Sequence, residues 1–323
     1  FRRVLFRSGK KEGEGPLSKY YDLIVEDPAI GKDTWEEGES ELINKATGIL
    51  LRKSKLKSQD IRYVFGGDLL GQLIATTFGI KSYDIPLFGL YGACSTAGEA
   101  LSLGAMAVGG GYADRVLCVA SSHFGSAEKQ FRFPLEYGNQ QPLSATWTVT
   151  GCGAFVLSKD VGNVRIKGIT TGKIVDYGVK DSLNMGACMA PAAADVIYQN
   201  LTDFQVKPDY YDKIITGDLG KVGSEILLKL LGDNNIDISK QHMDCGLEIY
   251  DLIEQDTHSG GSGYGCAAVT LAGMILHKMK EKKWNRVLFI PTGALLSTVS
   301  YNEGQTVPGI AHGIVLENRM IEE

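Results

Sequence analysis

Four landmarks occur twice in this chain, in the same order. Gly67-Asp68-Leu69 follows the apolar run Ile61-Arg62-Tyr63-Val64-Phe65, and Gly217-Asp218-Leu219 follows Asp212-Lys213-Ile214-Ile215-Thr216. A small-residue turn entering a helix stands at Gly92-Ala93-Cys94-Ser95-Thr96 and again at Gly260-Gly261-Ser262-Gly263-Tyr264-Gly265. Arg115-Val116-Leu117-Cys118-Val119 is echoed by Arg286-Val287-Leu288-Phe289-Ile290, and the run from Gly151 to Leu157 by that from Ile310 to Leu316. Chance supplies one or two such pairs; four in sequence argue for an internal duplication. Each half must then build the same unit, and strands alternating with helices imply sheets covered by helices. Two such units pack about a pseudo-dyad with their loops converging on one cleft. The expected halves are 9–165 and 166–323.

Composition narrows the function. A chain of 323 residues, 44% hydrophobic and 22% charged, has room for two fused units with a sizeable core. The net charge of −5, with no basic stripe, speaks against nucleic acid as a partner. No apolar run approaches the roughly 18–20 residues that cross a bilayer. The six cysteines and five histidines show no metal-ligand spacing, so neither a metal site nor a cofactor is expected. Phe1-Arg2-Arg3-Val4-Leu5-Phe6-Arg7-Ser8 is what a common sequencing adapter encodes, so residues 1–8 are set aside from fold reasoning as an artefact that displaces the native start.

Local patterns place the motifs. Gly9 to Gly31 is polar and expected to be an extended surface loop. Thr34 opens a helix whose apolar face is Leu42, Ile43, Ala46, Ile49 and Leu50. Asp68-Leu69-Leu70 is expected to begin the next helix, and Pro86 to Tyr91 to form a strand. The run from Ala100 to Val108 is apolar on all sides, which predicts a fully buried helix. Pro191 is expected in the first turn of the helix that carries Ala192 to Ile197.

Cys94 thus sits on a tight turn at a helix N-terminus. The unpaired N–H groups and the helix dipole there favour negative charge, so the thiol is expected to ionise readily and act as a nucleophile. The same place can hold a ligand's carboxylate without catalysis, or bury a small cysteine in a glycine-rich turn. Cys118 and Cys266 lie inside apolar runs and are expected in the core.

A duplicated α/β unit with a cysteine at the N-terminus of a buried helix in its first half resembles the thiolase superfamily, over essentially the whole chain after residue 8. The resemblance implies a thiolase-like fold with central mixed sheets between helices. It also implies, as one reading, an acyltransferase of ketoacyl-synthase type with Cys94 as the acylated nucleophile. This sequence departs from those enzymes where they place catalytic imidazole or amide groups: it has Gly217-Asp218 and Gly260-Gly261-Ser262 instead. An aspartate replaces an imidazole as a donor only if its pKa is strongly raised. Its charge would also oppose ionisation of Cys94.

A set of segments is similar to a non-enzymatic branch, the stage V sporulation protein AD family. The segments are Gly92-Ala93-Cys94-Ser95-Thr96, Ser121-Ser122-His123, Gln130-Phe131-Arg132-Phe133-Pro134, Met189-Ala190-Pro191-Ala192-Ala193-Ala194-Asp195, Thr216-Gly217-Asp218-Leu219, Asp244-Cys245-Gly246 and Thr292-Gly293-Ala294-Leu295-Leu296. That resemblance implies a spore protein that binds dipicolinate (pyridine-2,6-dicarboxylate), bare or as its calcium chelate, and acts with membrane partners in moving it into the forming spore. Its expected place is peripheral to the spore inner membrane, held there by those partners. The candidate ligand residues are Cys94, Ser122, His123, Asp218, Gly261 and Arg132. Ser122 and His123 would serve the second carboxylate or the ring nitrogen, and Arg132 a two-pronged clamp. Asp218 faces either a bound calcium ion or a backbone N–H. His258 is the candidate for a displaced catalytic base; His312 is expected in the core, and Asp244 at a cap or turn. A homodimer through strands of the first half is implied, with Glu128 to Gln141 at the interface.

Overall fold

The computed structural model describes residues 4–131, 141–160 and 162–319. In the first half the strands are β1 (Val4–Gly9), β2 (Leu23–Val25), β3 (Tyr63–Gly67), β4 (Leu87–Gly89), β5 (Arg115–Ser122), β6 (Trp147–Thr148) and β7 (Gly151–Ser158). The helices are α1 (Lys10–Gly13), α2 (Trp35–Ser54), α3 (Ile74–Ile80), α4 (Thr96–Gly109) and α5 (Phe124–Phe131). The second half brings β8 (Val164–Thr171), β9 (Lys213–Thr216), β10 (His242–Asp244), β11 (Gly261–Ser262), β12 (Arg286–Ile290), β13 (Thr292–Ala294) and β14 (Gly309–Asn318). Its helices are α6 (Met185–Asp203), α7 (Gly220–Gly232), α8 (Cys245–Ile249), α9 (Tyr264–Thr270), α10 (Leu276–Lys280) and α11 (Thr298–Asn302), with a π-helical turn joining α9 to α10.

The duplication is visible strand by strand. One sheet contains the run β1-β7-β5-β3-β4, with β2 beyond β1; the other contains β8-β14-β12-β9-β10. Directions match as well: β5 is parallel to β3 and antiparallel to β7, as β12 is parallel to β9 and antiparallel to β14. Segment Val4–Gly9, set aside on the sequence, therefore stands where the repeat requires the mate of β8. A ladder is closed by backbone groups, so its pairing does not depend on which side chains the segment carries.

Alternate residues of each strand face opposite layers. Phe65, Val116 and Phe155 join Val287, Phe289, Ile314 and Leu316 in a shared core between the two sheets. Val64, Leu117 and Val156 face Leu42, Ile43 and Leu50 of α2 on one outside; Ile214, Leu288 and Val315 face Met189, Val196 and Ile197 of α6 on the other. The mates α4 and α9 occupy the middle layer. A Cβ on Gly153 of β7 would stand 2.7 Å from the Ala268 backbone, so the sheet meets α9 at a distance only glycine allows.

Thr34 caps α2 by accepting from the Glu37 N–H at 3.2 Å, as its position predicts. Other expectations are corrected. Residues 9–31 are not a surface loop: they include α1, a 3-10 turn and β2, and Glu12 is buried, accepting from Thr150 N–H at 2.9 Å and from the Tyr250 hydroxyl. Its partners lie more than a hundred residues away, beyond any local pattern. After Asp68 the chain does not enter a helix; Gln72 and Leu73 take left-handed conformations (φ 59° and 53°) and α3 starts at Ile74. Pro191 lies inside α6, whose N-cap is Asn184, and not in its first turn; burial there offsets the hydrogen bond a proline forfeits. Helix α4 is buried as far as Gly104 and half-buried or exposed beyond it. It emerges from between the sheets, and Met106 near its end is 45% exposed. Among the described residues, no helix is long and apolar enough to cross a membrane.

Candidate functional site

The N-terminal ends of the paired central helices meet at one cleft of about 220 Å³. Cys94, Ala93 and Tyr91 line it from the turn before α4, Tyr264 from the first residue of α9, and Leu69 and Leu296 from facing loops. The turn is locked by its own hydroxyls. Thr96 donates to the Ala93 carbonyl at 2.8 Å and accepts from Gly92 N–H at 3.1 Å, while Ser95 donates to Gly92 at 2.6 Å. Cys94 is 5% exposed.

Asp218 comes from the loop after β9 and is fully buried. Its side chain lies against Cys94, accepts from Gly263 N–H at 3.0 Å, and accepts from the Thr292 hydroxyl at 3.3 Å. Of the two roles left open on the sequence, the backbone N–H is the one the geometry fills. Burial first, and then the neighbouring Asp244, push the Asp218 carboxyl well above the usual carboxylate range. Asp244, fed by four donors, is pushed up only to about 6 and is the ionised member at neutral pH. Two carboxyls close together in a dry site are driven apart in this way, the one with fewer donors holding its proton to higher pH.

The ready ionisation expected of Cys94 is corrected. Burial, and next Asp218, hold its thiol well above the normal range. A helix N-terminus favours an anion by about 0.3–2 kcal/mol. Burying an unpaired charge costs more than that, so desolvation wins and the thiol keeps its proton.

The structure brings Cys94 and Asp218 together and places the other candidates elsewhere. Ser122 donates to the Val149 carbonyl at 2.6 Å and accepts from Gly265 N–H at 2.9 Å, so it supports the start of α9 from behind. His123 is buried with both ring nitrogens engaged, on the Pro28 carbonyl at 2.6 Å and the Gly125 N–H at 3.1 Å, and burial lowers its pKa. Gly261 pairs with Trp147 in the short β6–β11 ladder. His258 contacts the Pro142 carbonyl at 3.1 Å, and His312 accepts from Gly172 N–H at 3.3 Å. None of these lines the cleft. Arg132, and 132–140 of the Glu128 to Gln141 segment, lie outside the described residues. Among the described residues no three His, Cys, Asp or Glu side chains gather as a metal-ligating group. Asp244 does cap a turn, as the N-cap of α8.

Sequence reasoning missed Tyr264. Its signal was present in the duplication: it opens the helix that mates with the Cys94 helix. It missed the apolar wall as well, because Leu69, Met185, Phe131 and Leu296 come from four separate segments.

The fold is that of the thiolase superfamily. The chain aligns with 3-oxoacyl-[acyl-carrier-protein] synthase III from Aquifex aeolicus (TM-score 0.56, 13% identity, 98% of each chain). It aligns similarly with the Acat5 thiolase from Ascaris suum in complex with coenzyme A (TM-score 0.58, 11% identity, 98% of this chain and 99% of the other). At such identities the likeness shows the fold alone. Sequence resolves the branch. Residues 4–317 match the family described as Stage V sporulation protein AD (SpoVAD). Stage V sporulation protein AD of Bacillus subtilis (strain 168) is 41% identical over 310 residues, covering 96% of this chain and 91% of that protein. With both sheets, the Cys94 turn and the Asp218 loop inside the matched span, the chain belongs to the stage V sporulation protein AD family.

Proposed function

We propose that this protein binds dipicolinate in the Cys94 cleft, acts in its uptake into the developing spore, and does not turn over thioesters. The observation that carries the reading is the Cys94–Asp218 pair. Acyl transfer needs a thiolate and a base to generate it. Asp218, with its raised pKa, meets the condition for an oxyanion donor, but an acid that keeps its own proton does not take the thiol's. The Cys94 thiol is held protonated, and among the described residues no imidazole lines the cleft. What remains is a small slot with apolar walls for a flat ring, and a helix N-terminus for a carboxylate. Arg132 follows directly on Phe131, a lining residue, and is retained as the clamp for the second carboxylate. A calcium ion would enter as part of the chelate.

Calorimetric titration tests this. Dipicolinate should bind the parent saturably, bind Cys94→Ala more weakly, and lose affinity when replaced by picolinate, which lacks one carboxylate. Titration with the calcium chelate shows which form is carried. No binding by the parent, together with an acyl adduct on Cys94 from an acyl-thioester by mass spectrometry, would establish the acyltransferase instead.

The partners in this reading are a second copy and the membrane proteins of the uptake system, which would hold it at the spore inner membrane. Edge strand β4 presents Leu87, 37% exposed, and Phe88, 51% exposed, with Phe88 stacked on Phe65 at 5.2 Å. An open apolar edge is a template for strand pairing. Phe88→Glu is expected to convert a dimer to a monomer in light scattering; an unchanged mass would place the interface elsewhere.

A further inference from the structure

Tyr264 is fully buried, yet it lines the cleft. Its hydroxyl stands among Thr96, Cys94 and Tyr91; the Thr96 hydroxyl is near enough to interact with it, but the pair does not close a hydrogen bond of ordinary geometry. The neighbouring hydroxyls are committed. Thr96 and Ser95 serve the turn, and Tyr91 donates to the Leu69 carbonyl at 3.1 Å. A buried phenol without a partner costs stability, because its water has been removed and nothing replaces it. The backbone spends conformational freedom to place it there. Gly263, immediately before it, has φ 108°, and a Cβ at that position would stand 2.7 Å from Ser122 Oγ.

The donors at this end of the cleft are the Tyr264 hydroxyl and the N–H groups of the 3-10 turn Ala93–Ser95 that leads into α4; the Cys94 thiol is already turned to Asp218. A donor cluster at a helix N-terminus fits an acceptor of negative charge. We propose that the Tyr264 hydroxyl donates to a carboxylate oxygen of an aromatic acid seated in the cleft, and that this bond selects an acid over a neutral ring of the same shape. The assignment rests on the dipicolinate reading and adds to it a residue and an orientation: the carboxylate lies between the N-termini of α4 and α9, with the ring along Leu69, Phe131 and Leu296.

Tyr264→Phe removes the hydroxyl and little else. The test combines thermal melting of the free protein with titrations of dipicolinate and of its dimethyl ester, which keeps the ring and loses both charges. The free variant is expected to melt at the parent's temperature or above it, since an unsatisfied group has been deleted. Its affinity for dipicolinate should fall roughly ten- to hundredfold, the value of a hydrogen bond to a charged group. Its affinity for the ester should not change. Dipicolinate affinity within twofold of the parent would overturn the assignment and leave the dipicolinate reading standing. A variant that melts well below the parent would also overturn it, by showing that the hydroxyl is satisfied within the free protein. If the parent itself binds no dipicolinate, both fall together.

Discussion

At pH 8, Glu39→Gln is expected to need more denaturant to unfold than the parent does, and the gain is expected to fade to nothing near pH 4.5. Glu39 lies on α2, fully buried, with Ser121 and Ser126 donating to its carboxyl at 2.8 and 2.9 Å. Burial first, and then the Asp68 carboxyl, raise its pKa to about 8; Glu36 on the same helix adds to the effect. Below about 4.5 the folded and unfolded chains both hold the proton, and nothing is lost. Above that the unfolded chain gives it up while the folded one keeps it, so stability drains away until pH passes the folded value. Over that span the loss is on the order of 4–5 kcal/mol. Glutamine is never charged and escapes it, while its amide still meets both serine hydroxyls. The buried His123 and the half-buried His242 and His312 have the opposite sign: their lowered pKa values cost stability as pH falls below 6.5. The variant-minus-parent difference isolates Glu39 from them. A difference independent of pH would mean that Glu39 is already ionised at neutral pH.

The duplication was legible because both its signals are local. Strand ends such as Gly67-Asp68-Leu69 and Gly217-Asp218-Leu219 are short strings, and the run β1-β7-β5-β3-β4 repeats as β8-β14-β12-β9-β10 as they require. Cys94 and Asp218 were legible for the same reason, each lying at a repeat landmark. The ionisation of Cys94 was not, because it turns on desolvation, and burial of one side chain is set by both sheets at once. His123 shows the converse: its partner, Pro28, lies in a stretch whose polar composition suggested only a surface loop. Pro191 misled because a proline's preference for a first turn is weak against an apolar face that continues on both sides of it.

The repeat also explains why the two halves contribute unlike chemistry from like places. Asp68 and Asp218 occupy equivalent loops, and both are buried. Asp68 accepts from Leu70 N–H at 2.9 Å, from Thr76 N–H at 2.7 Å and from the Thr76 hydroxyl at 2.6 Å, all within its own loop and helix. Asp218 instead reaches Cys94 across the pseudo-dyad. The first half's acid stabilises its loop, and the second half's acid is brought into contact with the site.

Asp244→Ala is expected to cost at least about 3 kcal/mol and to abolish dipicolinate binding with it. One buried carboxylate there accepts from the Thr216 hydroxyl at 2.7 Å and from the N–H groups of Leu219, Gly220 and Gly246, each at 3.0 Å. It ties the end of β9 to the starts of α7 and α8, and between them runs the loop that carries Asp218. Burial pushes its pKa up to about 6, so holding the charge is itself a cost. Deleting it is worse, because each of those donors is then left dry, at about 1–3 kcal/mol apiece. Asp244→Asn separates the fold from the site. Its amide oxygen can serve the Gly220 and Gly246 N–H groups, and Thr216 can turn its hydroxyl to accept, but the amide NH2 then faces Leu219 N–H. The loss should be about half that of alanine by chemical denaturation, leaving a folded protein to titrate. With the charge at 244 gone, the Asp218 carboxyl ionises at a lower pH, and dipicolinate binding should weaken at a lower pH than in the parent, since a charge appears beside Cys94 where a carboxylate is to sit. Equal stability of Asp244→Ala and the parent would mean that the loop holds its shape without the carboxylate. An unchanged pH profile in Asp244→Asn would mean that Asp244 does not set the charge state of Asp218.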